Sequence, residues 1–81
     1  MPKIRVLSAK EIISFFEKEG FSIARQNGSH VRMQRSLISG KQFLVIPNHK
    51  TIAIGTLKAI YNQAKIFVPE EKLFLFFYHQ N

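Results

Sequence analysis

Hydrophobic and polar positions alternate with two different periods along the chain, and the changes of period mark its elements. Ala9, Ile12, Ile13 and Phe16 recur at helical spacing, and Phe15 widens the apolar stripe they form. Ser8 and Glu11 have the spacing of a capping box, with Leu7 and Ile12 placed as a hydrophobic staple across it. Gly20 ends this helix, because a glycine just past the last turn takes the left-handed conformation, and Phe21 beyond it can fold back on Phe16.

The period then falls to two. Residues 21–25 and 30–34 alternate as strands around Asn27-Gly28, a strong hairpin signal. A strict Asn27-Gly28 loop would turn the two apolar faces in opposite directions. A bulge at Gly28 instead pairs Ile23 with Val31 and Phe21 with Met33, and that register is the one expected. It puts Ser22, Ala24, His30, Arg32 and Gln34 on the face away from the helices, with Ala24 beside His30. Residues 35–41 read as a loop in which Ser39-Gly40 closes a second hairpin and Leu37 and Ile38 need cover. Residues 43–46 form a third strand, ended by Pro47, which cannot donate to a ladder. A polar corner follows, Asn48-His49-Lys50.

Helical spacing returns at Leu57, Ile60, Tyr61 and Ala64, with Gly55 or Thr56 as the cap. This helix start, with Lys58 on its first turn, is either a cap alone or a cap that also seats a phosphate. Pro69-Glu70-Glu71 looks like one more helix start. After it Leu73, Phe74, Leu75, Phe76, Phe77 and Tyr78 leave no polar side for water. Part of this run is expected to pack against a second copy or a protein partner, since large exposed apolar patches commonly mark interfaces. The alternative is that it closes the core of its own chain. The fold class is therefore α+β, one domain over residues 1–81, with an α-β-β-β-α core at about residues 4–68 and an apolar, helical extension at 69–81. A three-stranded antiparallel sheet carries the helices on one face.

Charge sharpens this picture. The formal net charge is +7, and all five acidic residues, Glu11, Glu17, Glu19, Glu70 and Glu71, fall outside residues 20–69. That segment holds Arg25, Arg32, Arg35, Lys41, Lys50, Lys58 and Lys65, so the middle of the chain owns the net charge. Such a segment suits a polyanion such as nucleic acid. It also lacks the carboxylates that acid catalysis or hard-metal binding would need. There is no cysteine, hence no disulfide framework and no thiolate metal site, and three histidines without a nearby carboxylate make a poor metal centre. No metal and no cofactor are expected. The start, Met1-Pro2-Lys3-Ile4-Arg5, is unlike a signal peptide, and the longest apolar run is far below the ~18 residues of a membrane span. A cytoplasmic protein with no membrane partner is expected.

The candidate chemistry lies in Arg25-Gln26-Asn27-Gly28-Ser29-His30, where a cation, a turn, a hydroxyl and an imidazole meet. An imidazole at the start of a strand is held on one side and open on the other, and it exchanges protons near neutral pH. From these residues alone His30 is either an acid/base residue or a half-exposed surface histidine, and Arg25, Ser29, Arg32, His49, Lys50 and Lys58 are candidates to contact RNA.

Gly20-Phe21, Arg25-Gln26, Gly28-Ser29-His30, Ile46-Pro47-Asn48-His49 and Gly55-Thr56-Leu57, in that order, resemble the HicA toxins over residues 4–68. The resemblance implies a fold like the double-stranded RNA-binding domain and cleavage of mRNA that does not need the ribosome; RNA carries its own nucleophile, the 2′-OH, so such cleavage calls for one acid/base group, cations for the phosphate and no metal. It further implies that His30 is the essential residue and that a HicB-type antitoxin binds over this face. His49 matches the Pro-x-His of the family, and residues 69–81 run past its pattern. A non-catalytic RNA-binding module would use the same fold and charge.

Overall fold

The computed structural model describes residues 2–78. Its order is α1 (Ala9–Lys18), β1 (Ser22–Asn27), β2 (His30–Leu37), β3 (Gly40–Pro47), α2 (Ile54–Ala64) and α3 (Glu70–Phe77). The strands form one antiparallel sheet in the order β1-β2-β3. This is the α+β arrangement expected from the double-stranded RNA-binding-domain likeness, with a third helix added at the end. Among the described residues no helix is long and apolar enough to cross a membrane.

Local signals set α1 at both ends. The Glu11 N–H donates to Ser8 Oγ at 3.1 Å and the Ser8 N–H donates to Glu11 Oε1 at 3.0 Å, which closes the capping box. The Ser8 N–H and then the Ser8 hydroxyl hold the Glu11 carboxyl below its ordinary range; burial opposes them, and the Arg5 guanidinium adds the smallest effect. At the other end Gly20 has φ 98°, its N–H donates to Glu17 O, and the Phe21 N–H reaches back to Phe16 O at 3.0 Å. That bonding is a Schellman motif. The Phe16 and Phe21 rings meet edge to face at 5.6 Å, as their spacing predicts.

The first hairpin corrects the expected register. Its loop is Gly28-Ser29, with Asn27 opposite His30, and the irregularity lies at Ala24, between the pairs Ile23–Met33 and Arg25–Arg32. Gly28 has φ 59° and no other residue of the turn has positive φ, so the glycine takes the first central position of a two-residue loop. Continued without a bulge, that pairing would put Ile23 on the outer face. The extra residue at Ala24 restores Ile23 to the side of Met33, so the parity problem is solved inside the strand rather than in the loop. Asn27 and Pro47, not Ala24, are thus the neighbours of His30. Ser22, His30, Arg32 and Gln34 keep the outer face expected of them.

The second hairpin is longer than expected. Pairing continues to Leu37 opposite Gly40, so most of residues 35–41 is ladder, and only Ile38 and Ser39 form the turn. Leu37 and Ile38 do not find cover and stay exposed.

The core lies between one sheet face (Val31, Met33, Leu44, Ile46) and the helices. Leu57, Ile60, Tyr61 and Ala64 are buried from α2, the stripe the spacing predicts. The α2 cap differs from expectation: the helix begins at Ile54 after Ala53, with no side-chain cap bond, so Gly55 and Thr56 lie inside its first turn. Arg35 is also inside the architecture. Its guanidinium donates to Glu19 O at 2.8 Å, Phe67 O at 2.6 Å and Gln42 Oε1 at 2.9 Å while lying 4.7 Å over the Phe21 ring. It neutralises carbonyls at the end of α1 and beyond α2, a structural use of one of the seven central cations.

The apolar run near the end of the chain is used internally: through Leu73 and Phe77 it closes the core of its own chain, the alternative reading of Leu73, Phe74, Leu75, Phe76, Phe77 and Tyr78. Leu73 and Phe77 are fully buried in the common core. Phe76 stacks on Phe15 at 4.3 Å, Phe74 stacks on Tyr78 at 4.9 Å, and Leu75 alone of the run is exposed. The Tyr61 hydroxyl donates to Glu70 Oε2 at 3.0 Å, and burial followed by that carboxylate pushes the phenol up to about 12. The Arg5 N–H donates to Phe77 O at 2.8 Å, and Ile4 forms a bridge with Tyr78. The core therefore extends beyond residue 68. Phe76 and Phe77 pack on Phe15 of α1, and Phe77 also meets Tyr61 of α2, so α3 completes the core from the helical side.

Candidate active site at one end of the sheet

His30 opens β2 and is exposed. Its neighbour Val31 and that residue's partner Ile46 are buried under the helices, so strand alternation turns His30 and its partner Pro47 to the outer face. Ser29 Oγ and His30 Nδ1 are 3.5 Å apart, a long contact. Nε2 has no protein hydrogen bond among the described residues, so it is available to a substrate.

Three backbone bonds build this end. The Asn48 N–H donates to Ser29 O at 2.6 Å, tying the first hairpin turn to the corner after β3. The His49 N–H folds back on Pro47 O at 2.9 Å, and the Ala9 N–H donates to His49 O at 3.0 Å. One of the free N–H groups at the start of α1 is thereby satisfied by the corner that carries His49. A hollow of about 300 Å³ lies there, lined by Ser8, Lys10, Asn48, His49 and Lys50.

The fold thus brings the Ser29-His30 turn and the Asn48-His49-Lys50 corner to the same end of the sheet, while the hollow at the corner is lined by neither Ser29 nor His30. Arg25 and Arg32 oppose each other on the outer face in the adjoining part of the sheet, and the Arg32 guanidinium lies 4.2 Å over the Phe43 ring. Lys58 is not gathered with them. It lines a separate hollow with Pro2, Lys3, Ile4, Ile54 and Tyr78. Lys10 is a cation that sequence reasoning missed. Its position on the first turn of α1 was legible from the capping box, but the packing of that turn on the His49 corner had no local signal.

Charge is separated by face. Glu11 is engaged with Ser8 and Arg5, Glu19 with Lys72 at 3.4 Å, and Glu70 with Tyr61. No acidic residue stands on any strand. Among the described residues no three of His, Cys, Asp or Glu gather as metal ligands would.

The family model of the HicA toxin of bacterial toxin–antitoxin systems matches residues 9–66, from the start of α1 to just past α2. The chain belongs to the HicA toxin family. Membership makes it the toxin side of a toxin–antitoxin pair and implies an antitoxin partner. No curated protein and no solved structure matches the chain. The HicA match spans Gly28-Ser29-His30 and the His49 corner but stops short of α3, the helix that completes the core.

Proposed function

We propose that this HicA-family chain is a metal-independent endoribonuclease that cleaves mRNA with His30 as its acid/base residue, and that a HicB-type antitoxin blocks it by covering the outer sheet face. The observation that carries the reading is an exposed imidazole beside a hydroxyl, at the end of a sheet face that bears arginines and no carboxylate. His30 accepts the proton of the 2′-OH next to the scissile phosphate. The 2′ oxygen then bonds to phosphorus as the bond to the 5′ oxygen breaks. The Ser29 hydroxyl and Lys50 hold the phosphate oxygens, where charge builds in the transition state, and Arg32 holds the RNA backbone further along the face. The imidazolium or a water returns a proton to the leaving oxygen.

The products are a 2′,3′-cyclic phosphate and a 5′-OH. Purified protein incubated with single-stranded RNA and a chelator should yield those ends by mass spectrometry. Binding without cleavage would favour a non-catalytic RNA-binding module, and cleavage that the chelator stops would point to a metal route.

Binding should also depend steeply on salt, because phosphate contacts displace counterions. Arg32→Gln or Lys50→Gln should each flatten the plot of log affinity against log salt by about one unit. Lys58→Gln should leave the slope unchanged, since Lys58 lines a hollow apart from His30. Filter-binding titrations over a range of salt check both. A slope that responds to Lys58 alone would move the RNA surface to the helices.

A further inference from the structure

We infer that Phe43, capped by Arg32, is a base-stacking platform on a track across the outer sheet face, along which single-stranded RNA reaches His30. The inference rests on the ribonuclease reading and adds to it a residue outside the catalytic end.

The buried residues of the sheet lie on the other face, against α1 and α2 with α3 packed on those helices, so no helix covers the outer face. An aromatic ring there has nothing of its own core to bury against. Phe43 is nevertheless on this face, because its β2 partner is Gln34, in phase with Arg32 and His30. Arg32 covers the ring at 4.2 Å, and this flat guanidinium on an aromatic surface can itself take a stacked base.

The charge of the face favours an anion. Arg25 sits directly opposite Arg32 in the β1–β2 ladder, and directly opposed like charges destabilise a sheet. The strands hold no carboxylate to relieve that repulsion. The phosphates of an RNA strand passing over this part of the face would.

The spacing suits a strand of RNA. His30 pairs with Pro47 and Gln34 with Phe43, so the platform and the imidazole are separated by four ladder steps, about 13 Å along the strands. The opposed arginines lie between them. A duplex keeps its bases stacked inside and offers its backbone and shape, whereas unpaired bases can splay out onto an aromatic. An uncovered sheet with a ring, an arginine pair and an imidazole in a row fits the second kind of ligand.

The sequence has no tryptophan, so Phe43→Trp introduces a single indole reporter at the platform. The variant is made in a His30→Ala background, so that binding is read without cleavage, and titrated with oligouridylate and with the same strand annealed to oligoadenylate. The expected result is tight binding of oligouridylate with quenched indole emission and no quenching by the duplex. Phe43→Leu should weaken oligouridylate binding by about tenfold or more with an unchanged salt slope, since what it removes is stacking. Circular dichroism establishes that each variant is folded. Binding without quenching, equal quenching by the duplex, or undiminished affinity of Phe43→Leu would overturn the platform. So would a Phe43→Leu variant that keeps RNA but loses antitoxin, which would make the face a protein surface. Quenching by a protein whose native form never cleaves RNA would sink the ribonuclease reading and leave the platform standing.

Discussion

His30→Ala is expected to remove RNA cleavage and leave the fold intact. Losing acid/base help at the 2′-OH costs on the order of a hundred- to ten-thousandfold in rate, or about 3 to 5 kcal/mol of barrier. The stability cost should be small, because the side chain is exposed and its one side-chain hydrogen-bond partner among the described residues is the distant Ser29 Oγ. Surface changes of this kind usually stay within about 0.5 kcal/mol. Single-turnover cleavage and a thermal melt on the same preparation separate the two effects. Undiminished cleavage by a folded variant would remove His30 from the mechanism and turn attention to His49, whose corner joins the same end of the sheet.

Removing α3 should unfold the protein. Truncation after Lys72 deletes Leu73 and Phe77, both fully buried, and takes Phe76 from Phe15 and Tyr78 from Ile4. Each large buried side chain is worth about 2 to 5 kcal/mol, against a total stability of about 5 to 15 kcal/mol for a domain. Phe77→Ala alone should lower the melting temperature markedly, since the cost of about 3 to 5 kcal/mol falls on a small domain. Circular dichroism melts and denaturant titrations measure both variants. A truncated chain that melts like the full one but has lost self-association would restore the interface role first expected of this run.

What was legible in the sequence was what short-range chemistry decides. Ser8 with Glu11, and Gly20 with Phe21, set both ends of α1 through bonds spanning a few residues. The stripe from Leu57 to Ala64 needed only its period. The first hairpin was harder, because a bulge in the loop and a bulge at Ala24 both return Ile23 to the inner face, and composition does not choose between them. The fate of the last helix was open for a similar reason. A segment apolar on all sides suits an interface or an unfilled core equally, and only the packed positions of α1 and α2 tell how much core was left to fill. At the site, the Gly28-Ser29-His30 turn was visible as a motif. The gathering of Lys10 with the His49 corner, the withdrawal of Arg35 into the architecture and the separation of Lys58 all depend on contacts between residues far apart in the chain.

The bridge between Ile4 and Tyr78 and the bond from the Arg5 N–H to Phe77 O also bear on the order of events during synthesis. Contacts that close so long a loop form after local ones, and a domain emerging from the ribosome gains them only when its last elements are free. The hairpins and α1 can form early, but the core lacks Leu73 and Phe77 until α3 has emerged. A nascent chain that has not yet released α3 therefore has a partly built core.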